Sequence, residues 1–171
     1  RGLNRVVNSR IDIGAVEVNA GAIQLSAGAV SVNESTSTVT LMATRTGGTD
    51  GAVSVGFTSS NGTAVAPGDY TTATGTLNWA NGNGAPKTFQ VTIINDQADE
   101  PNEAFKVAVA NPQGGATLGA TITEVVTIVD NDAAPVVTIG DVSVTEGGAL
   151  VFPVNLSNPS SGSITLTVAT S

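Results

Sequence analysis

Apolar and polar residues alternate along most of this chain. Phe89, Val91 and Ile93 interleave with Thr88, Gln90 and Thr92, and Phe105, Val107 and Val109 interleave with Lys106 and Ala108. A period of two marks half-buried strands. Seven are expected, at 22–32, 37–46, 52–60, 70–79, 87–94, 103–110 and 121–129. Turn chemistry separates them: Gly47-Gly48, Asn61-Gly62, Pro67-Gly68, Asn81-Gly82-Asn83-Gly84 and Gly114-Gly115. No window sustains a helical period. The pattern predicts an all-β chain whose centre is a seven-stranded antiparallel two-sheet sandwich of immunoglobulin-like type. Leu77 and Trp79 share a face, as do Val53, Val55 and Phe57, so Trp79 reads as a core anchor.

A repeat sets the domain organisation. Val32-Asn33-Glu34 precedes the second strand, and Val144-Thr145-Glu146 precedes a similar one starting near Leu150. The alternation continues through Phe152, Val154 and Leu156, then Ile164, Leu166 and Val168. The expected division is a remnant or linker at 1–20, a sandwich at 21–132, then a linker and the first three strands of a second copy at 133–171. Half a sandwich leaves its core face open, so strand exchange with neighbouring copies or chains is an expected partnership. The opening Arg1-Gly2-Leu3 suggests a piece of a longer protein.

Composition narrows the chemistry. Aromatic residues are only 4% of the chain, and the apolar residues are mostly Val, Ile and Ala among Thr, Ser and Gly. Net charge is −8, with no Lys or Arg after residue 106. Nucleic acid is a poor partner, since phosphate binding needs a basic footprint. No apolar run reaches the roughly 18 residues of a membrane span, so membrane insertion is not expected, and the start carries no signal-peptide pattern. With neither cysteine nor histidine, disulfides, thiolate and imidazole metal sites and histidine-based catalysis are excluded. Any metal must be held by oxygen, which favours a hard cation such as Ca2+.

The acids are not scattered. In an antiparallel sandwich, connections one, three and five lie at the end where strand seven finishes. Connection one carries Glu34, and connection three carries Asp69. Connection five is Asn95-Asp96-Gln97-Ala98-Asp99-Glu100-Pro101-Asn102-Glu103, and strand seven ends in Asp130-Asn131-Asp132. The remaining connections contain only Asp50. Like charges drawn from four segments to one pole repel unless something positive sits among them. Calcium, with six to eight oxygen ligands, suits converging loops.

Five motifs in order carry a family resemblance. Asn61-Gly62-Thr63-Ala64, Gly68-Asp69-Tyr70, Gly75-Thr76-Leu77, Ile93-Ile94-Asn95-Asp96 with Glu100-Pro101-Asn102-Glu103-Ala104-Phe105, and Val126-Thr127-Ile128-Val129-Asp130-Asn131-Asp132 resemble the Calx-beta domain. That module occurs in sodium–calcium exchangers and large bacterial surface proteins. The resemblance implies a seven-stranded sandwich holding calcium at one pole, with Glu34, Asp69, Asp96, Glu100, Glu103, Asp130 and Asp132 on ligand positions and a backbone carbonyl near Ala98. Asn95 and Asn131 stand where the strongest binders have Asp, so fewer or weaker ions are implied. Residues 1–20, with Arg5-Val6-Val7-Asn8 and Ile11-Asp12-Ile13-Gly14-Ala15, resemble the closing segment of right-handed β-helix domains in bacterial surface proteins.

The leading expectation is a non-catalytic, calcium-binding and calcium-stabilised module of a bacterial extracellular adhesin, stalk or filament. A structural spacer without a functional ion is the alternative. A glycosidase using paired carboxylates is a distant third, since Tyr70 is the only aromatic near the acidic loops.

Overall fold

The first expected strand is two strands in two different sheets. In the computed structural model, which describes residues 18–169 and the backbone of two short segments before them, β3 (Ala22–Leu25) and β4 (Ala29–Asn33) are separated by Ser26-Ala27-Gly28. The preceding β1 (Arg5–Val7) and β2 (Arg10–Asp12) pair antiparallel. The β-helix resemblance falls on residues 1–20, of which 1–4, 8–9 and 13–17 lie outside the described residues. Downstream come β5 (Thr38–Thr46), β6 (Val53–Ser60), β7 (Thr74–Trp79), β8 (Lys87–Thr92), β9 (Glu103–Gln113), β10 (Thr117–Leu118) and β11 (Thr123–Val129). Among the described residues there is no helix, and so none able to cross a membrane.

One sheet has the order β10-β3-β5-β8, the other β4-β11-β9-β6-β7. Pairing is antiparallel except where the split first strand meets the end of the chain's sandwich: β3 runs parallel to β10, and β4 parallel to β11. By changing sheets after Leu25, the first strand pairs with both strands of the closing segment, β10 in one sheet and β11 in the other. The expected strand at 70–79 begins only at Thr74. Residues before it form turns, and Tyr70 makes a single bridge to Ile93.

Alternation fixes the core. Ile23, Leu25, Leu41, Ala43 and Val91 face inward from the first sheet, and Val55, Trp79, Phe105, Val107, Val109 and Val126 from the second. Each of the larger of these side chains contributes on the order of 1.5–3 kcal/mol by leaving water, and Ala43 less. Trp79 is buried, and its indole N–H donates to the Ala85 carbonyl at 2.8 Å. On the side where β7 and β8 form the sheet edges, Phe57 stacks on Phe89 with ring centres 4.1 Å apart.

Packing reaches back to Asn19 and Ala20. Ala20 is buried, and Arg45, only 4% exposed, donates from Nε to its carbonyl at 2.9 Å. The same guanidinium donates to the carbonyls of Asp50, Gly51, Ala80 and Asn83. One buried cation thus ties three loops at the end of the sandwich away from the acids.

Beyond Asp132, β12 (Val137–Ile139) pairs antiparallel with β13 (Val154–Leu156). Val144, Leu150, Phe152, Leu166 and Val168 stand exposed.

Candidate metal centre

Four connections build the acidic pole, each by a different local device. After β4, a turn over Asn33-Glu34-Ser35-Thr36 closes with Thr36 N–H donating to Asn33 O at 2.9 Å, while Asn33 Oδ1 accepts the Ser35 N–H. This turns Glu34 inward to 7% exposure, and its Oε1 accepts the Asp96 N–H at 3.0 Å. Its backbone N–H donates to Val129 O at 2.9 Å, joining the turn to the end of β11.

The second connection is anchored by its aromatic residue. Tyr70 is buried, stacks on Phe105 with ring centres 4.0 Å apart, and donates its hydroxyl to Asn61 Oδ1 at 2.7 Å. The Asn61-Gly62-Thr63-Ala64 run lies against the start of β9: Ala64 N–H donates to Ala104 O, and Thr63 Oγ accepts the Ala104 N–H. Any Cβ at Gly62 would fall 2.3 Å from Ala104 O, so the close approach requires glycine. Asp69 is thereby carried to the pole, where its Oδ2 accepts the Val65 N–H at 2.6 Å.

The long loop before β9 folds around Asp96, whose Oδ1 accepts the Ala98 N–H at 2.7 Å. At the end of β11, the Asp130 N–H donates to Asn102 Oδ1 at 3.2 Å.

Six acids come together in two groups. Glu34, Asp96 and Asp132 each offer a carboxylate oxygen, all within 4.8 Å of one another, and Asp69, Glu100 and Glu103 form a second such set. Glu34, Asp69, Glu100, Glu103 and Asp130, with Ile94, Pro101 and Ile128, line a crevice of about 10 Å³, near the smallest volume that holds one water-sized sphere. Asp130 Oδ1 and Asp132 Oδ2 are buried with no hydrogen-bond partner. Buried acceptors are nearly always satisfied, and hard oxygens aimed inward without donors fit a cation. Asn95 turns to the backbone, its Nδ2 donating to Asp96 O, and Asn131 is exposed.

Proton affinities record the crowding. Glu103 is pushed up to about 7, first by burial, then by its hydrogen bond to Asp69 and the charges of Asp69 and Glu100. Glu34 and Glu100 are raised too, by burial first and also by neighbouring carboxylates, with the Asp96 N–H drawing Glu34 partly back down. These are the responses of acids held together with no positive charge among them.

Asp99 and Glu124 are engaged elsewhere. Asp99 faces the C-terminal segment: its N–H donates to Pro159 O and its carbonyl accepts the Ser161 N–H, both at 3.1 Å, and Oδ2 accepts the Ser160 hydroxyl. Glu124, 3% exposed, points between the sheets with Oε2 unpartnered, and burial raises its proton affinity. Its place in the inward series Glu124, Val126, Ile128 was the sequence signal that could have found it.

Similarity to known proteins follows the same geometry. The Calx-beta domain family matches residues 17–132. Adhesion G-protein coupled receptor V1 of Danio rerio is 33% identical over 102 residues, 60% of this chain and 2% of that receptor. The chain therefore spans a very small part of that relative. Among solved structures, the apo-form Calx CBD1 domain superposes with a TM-score of 0.62 at 26% identity, covering 65% of this chain and 97% of that one. The calcium binding domain CBD12 of CALX1.1 gives 0.61 at 26% identity, covering 64% of this chain and 44% of that one. The motifs, the two-sheet sandwich and these likenesses agree, and the chain belongs to the Calx-beta domain family.

Proposed function

We propose that the sandwich is a non-catalytic calcium-binding module whose acidic pole holds Ca2+ and is stabilised by it. The observation that carries this reading is the pair of carboxylate triads, of which Glu34, Asp69, Glu100 and Glu103 line one crevice, with Asp130 Oδ1 and Asp132 Oδ2 buried and unpartnered. Glu34, Asp96 and Asp132 would serve one ion, and Asp69, Glu100 and Glu103 another. Asp130 lines the same crevice, and the Asn95, Ala98 and Asn131 oxygens complete the candidate set. The relative described as a calcium binding domain supports the choice of ion.

The setting we propose is extracellular, in a bacterial adhesin, stalk or filament. Support comes from the tandem pattern, the acidic surface and the likeness to an adhesion receptor. Strand pairing with neighbouring copies belongs to the same reading, because Leu150, Phe152, Val154 and Leu166 stand exposed.

Calorimetric titration of Ca2+ into chelator-treated protein tests the site. Glu100→Gln and Asp130→Asn should each weaken binding, whereas Asp50→Asn at the far end should leave it unchanged. No heat of binding at millimolar Ca2+ would reduce the module to a spacer.

A further inference from the structure

Where the chain enters and leaves the sandwich decides how tension along it would load the strands. The chain enters it at Asn19-Ala20, beside the turn that follows β5, and leaves at Asp130–Asp132, at the acidic end. Tension therefore pulls β3 and β4 toward one end and β11 toward the other. Their pairing decides what this does. β4 and β11 are parallel neighbours, in register from Ala29↔Val125 to Asn33↔Val129. Pulling them oppositely along their own axes loads the whole ladder at once, whereas an antiparallel hairpin pulled from its two adjacent ends opens one bond at a time.

Both ends of this arrangement are reinforced. Where the chain enters, Asn19 Nδ2 donates to Gly47 O, the Asn19 N–H donates to Asp50 Oδ2, and Arg45 holds the Ala20 carbonyl. Just past the ladder, the Glu34 N–H donates to Val129 O, and the Glu34 carboxylate meets that of Asp132.

We propose that the module is a load-bearing shear clamp, β4 against β11, and that a divalent cation held between Glu34 and Asp132 closes the clamp where the chain leaves. The ladder's part rests on topology alone; the cation's part rests on the calcium reading above. The cation joins the residue after β4 to a residue just after β11, the two points that tension drives apart. It is therefore placed to raise the force of rupture in that direction only.

Single-molecule pulling on the full chain tests this. The protein has no cysteine, so pairs introduced at exposed positions define the direction of force. Val18→Cys with Ala133→Cys shears β4 against β11. Ala52→Cys with Ala80→Cys peels β7 from β6, whose register begins at Val53↔Trp79. At equal loading rate the shear force should exceed the peeling force severalfold, up to about five, because five β4–β11 residue pairs share the load. Chelator should lower the shear force and leave the peeling force unchanged. Equal forces in the two directions would overturn the clamp. Calorimetric calcium binding without any change in shear force would overturn the cation's part in it. Absence of calcium binding would instead overturn the reading of the acidic pole, leaving the directional difference to decide the clamp.

Discussion

Removing one charge from the acidic pole should act in opposite directions with and without calcium. Glu103 shares its group with Asp69 and Glu100, with oxygens within 4.8 Å. Two unit charges at that separation repel by about 1 kcal/mol in water and about 3.5 kcal/mol at an effective dielectric of 20. The pole is half exposed, so the lower figure is the better guide, and two pairs give about 2 kcal/mol. Glu103→Gln relieves this repulsion and keeps an amide able to donate to Asp69. Without calcium at pH 8, the variant should melt higher by about 8 °C, taking roughly 4 °C per kcal/mol for a domain of this size.

The pH profile supplies the control. Glu103 binds its proton more tightly in the folded state, up to about 7 from 4.5. Its contribution to apo stability is therefore fully present below about 4.5 and lost as pH rises through about 7. Glu34 and Glu100 are shifted in the same sense. Apo protein should weaken between those limits, and Glu103→Gln should flatten the fall. With saturating calcium the sign reverses, because the variant lacks a ligand. Each tenfold loss of affinity removes about 1.4 kcal/mol of binding. Melting curves at pH 5 and pH 8, with calcium and with chelator, check all four cases. A variant less stable in chelator at pH 8 than the parent protein would refute the account of crowded, unrelieved carboxylates.

Arg45→Met leaves five loop carbonyls without their donor and should cost about 3 kcal/mol in urea denaturation, as loss of a buried charged partner does; calcium affinity, read by calorimetry, should be unchanged. Glu124→Gln should stabilise the sandwich by about 1–3 kcal/mol at pH 8, the cost of an unsatisfied buried group. Because burial raises the Glu124 proton affinity, that gain should shrink as pH falls toward 4.5, and a gain independent of pH would contradict it. Asn95→Asp or Asn131→Asp should tighten calcium binding and lower the chelator melting temperature, since each adds a charge at the pole; looser binding would show that neither position faces an ion.

Much of the fold was legible because alternation and turn residues agree. Phe89-Gln90-Val91 and Phe105-Lys106-Val107 are strands by pattern, and inward by the same pattern. The change of sheet after Leu25 is marked in the sequence only by a slip of parity around Ser26-Ala27-Gly28, from Ile23 and Leu25 to Val30 and Val32. Counting connections brought the acidic loops to one end, but it could not divide the acids into two groups. That division depends on the turns at Asn33 and Asn61, which aim Glu34 and Asp69. It also placed Asp99 beside its neighbours, whereas backbone pairing with Ser160 turns it away. Arg45 and Glu124 escaped for a common reason. A charged residue in a strand reads as outward, although the alternation puts each in an inward series, Arg45 after Val39, Leu41 and Ala43, and Glu124 before Val126 and Ile128.

The most direct test of the central claim is the melting temperature of the intact chain in millimolar calcium and in chelator. An ion that binds only the folded state, at a hundred times its dissociation constant, contributes about 2.7 kcal/mol. With roughly 4 °C per kcal/mol for this size, calcium should raise the midpoint by about 10 °C. Superimposable curves in calcium and chelator would contradict the claim that the acidic pole is a calcium site.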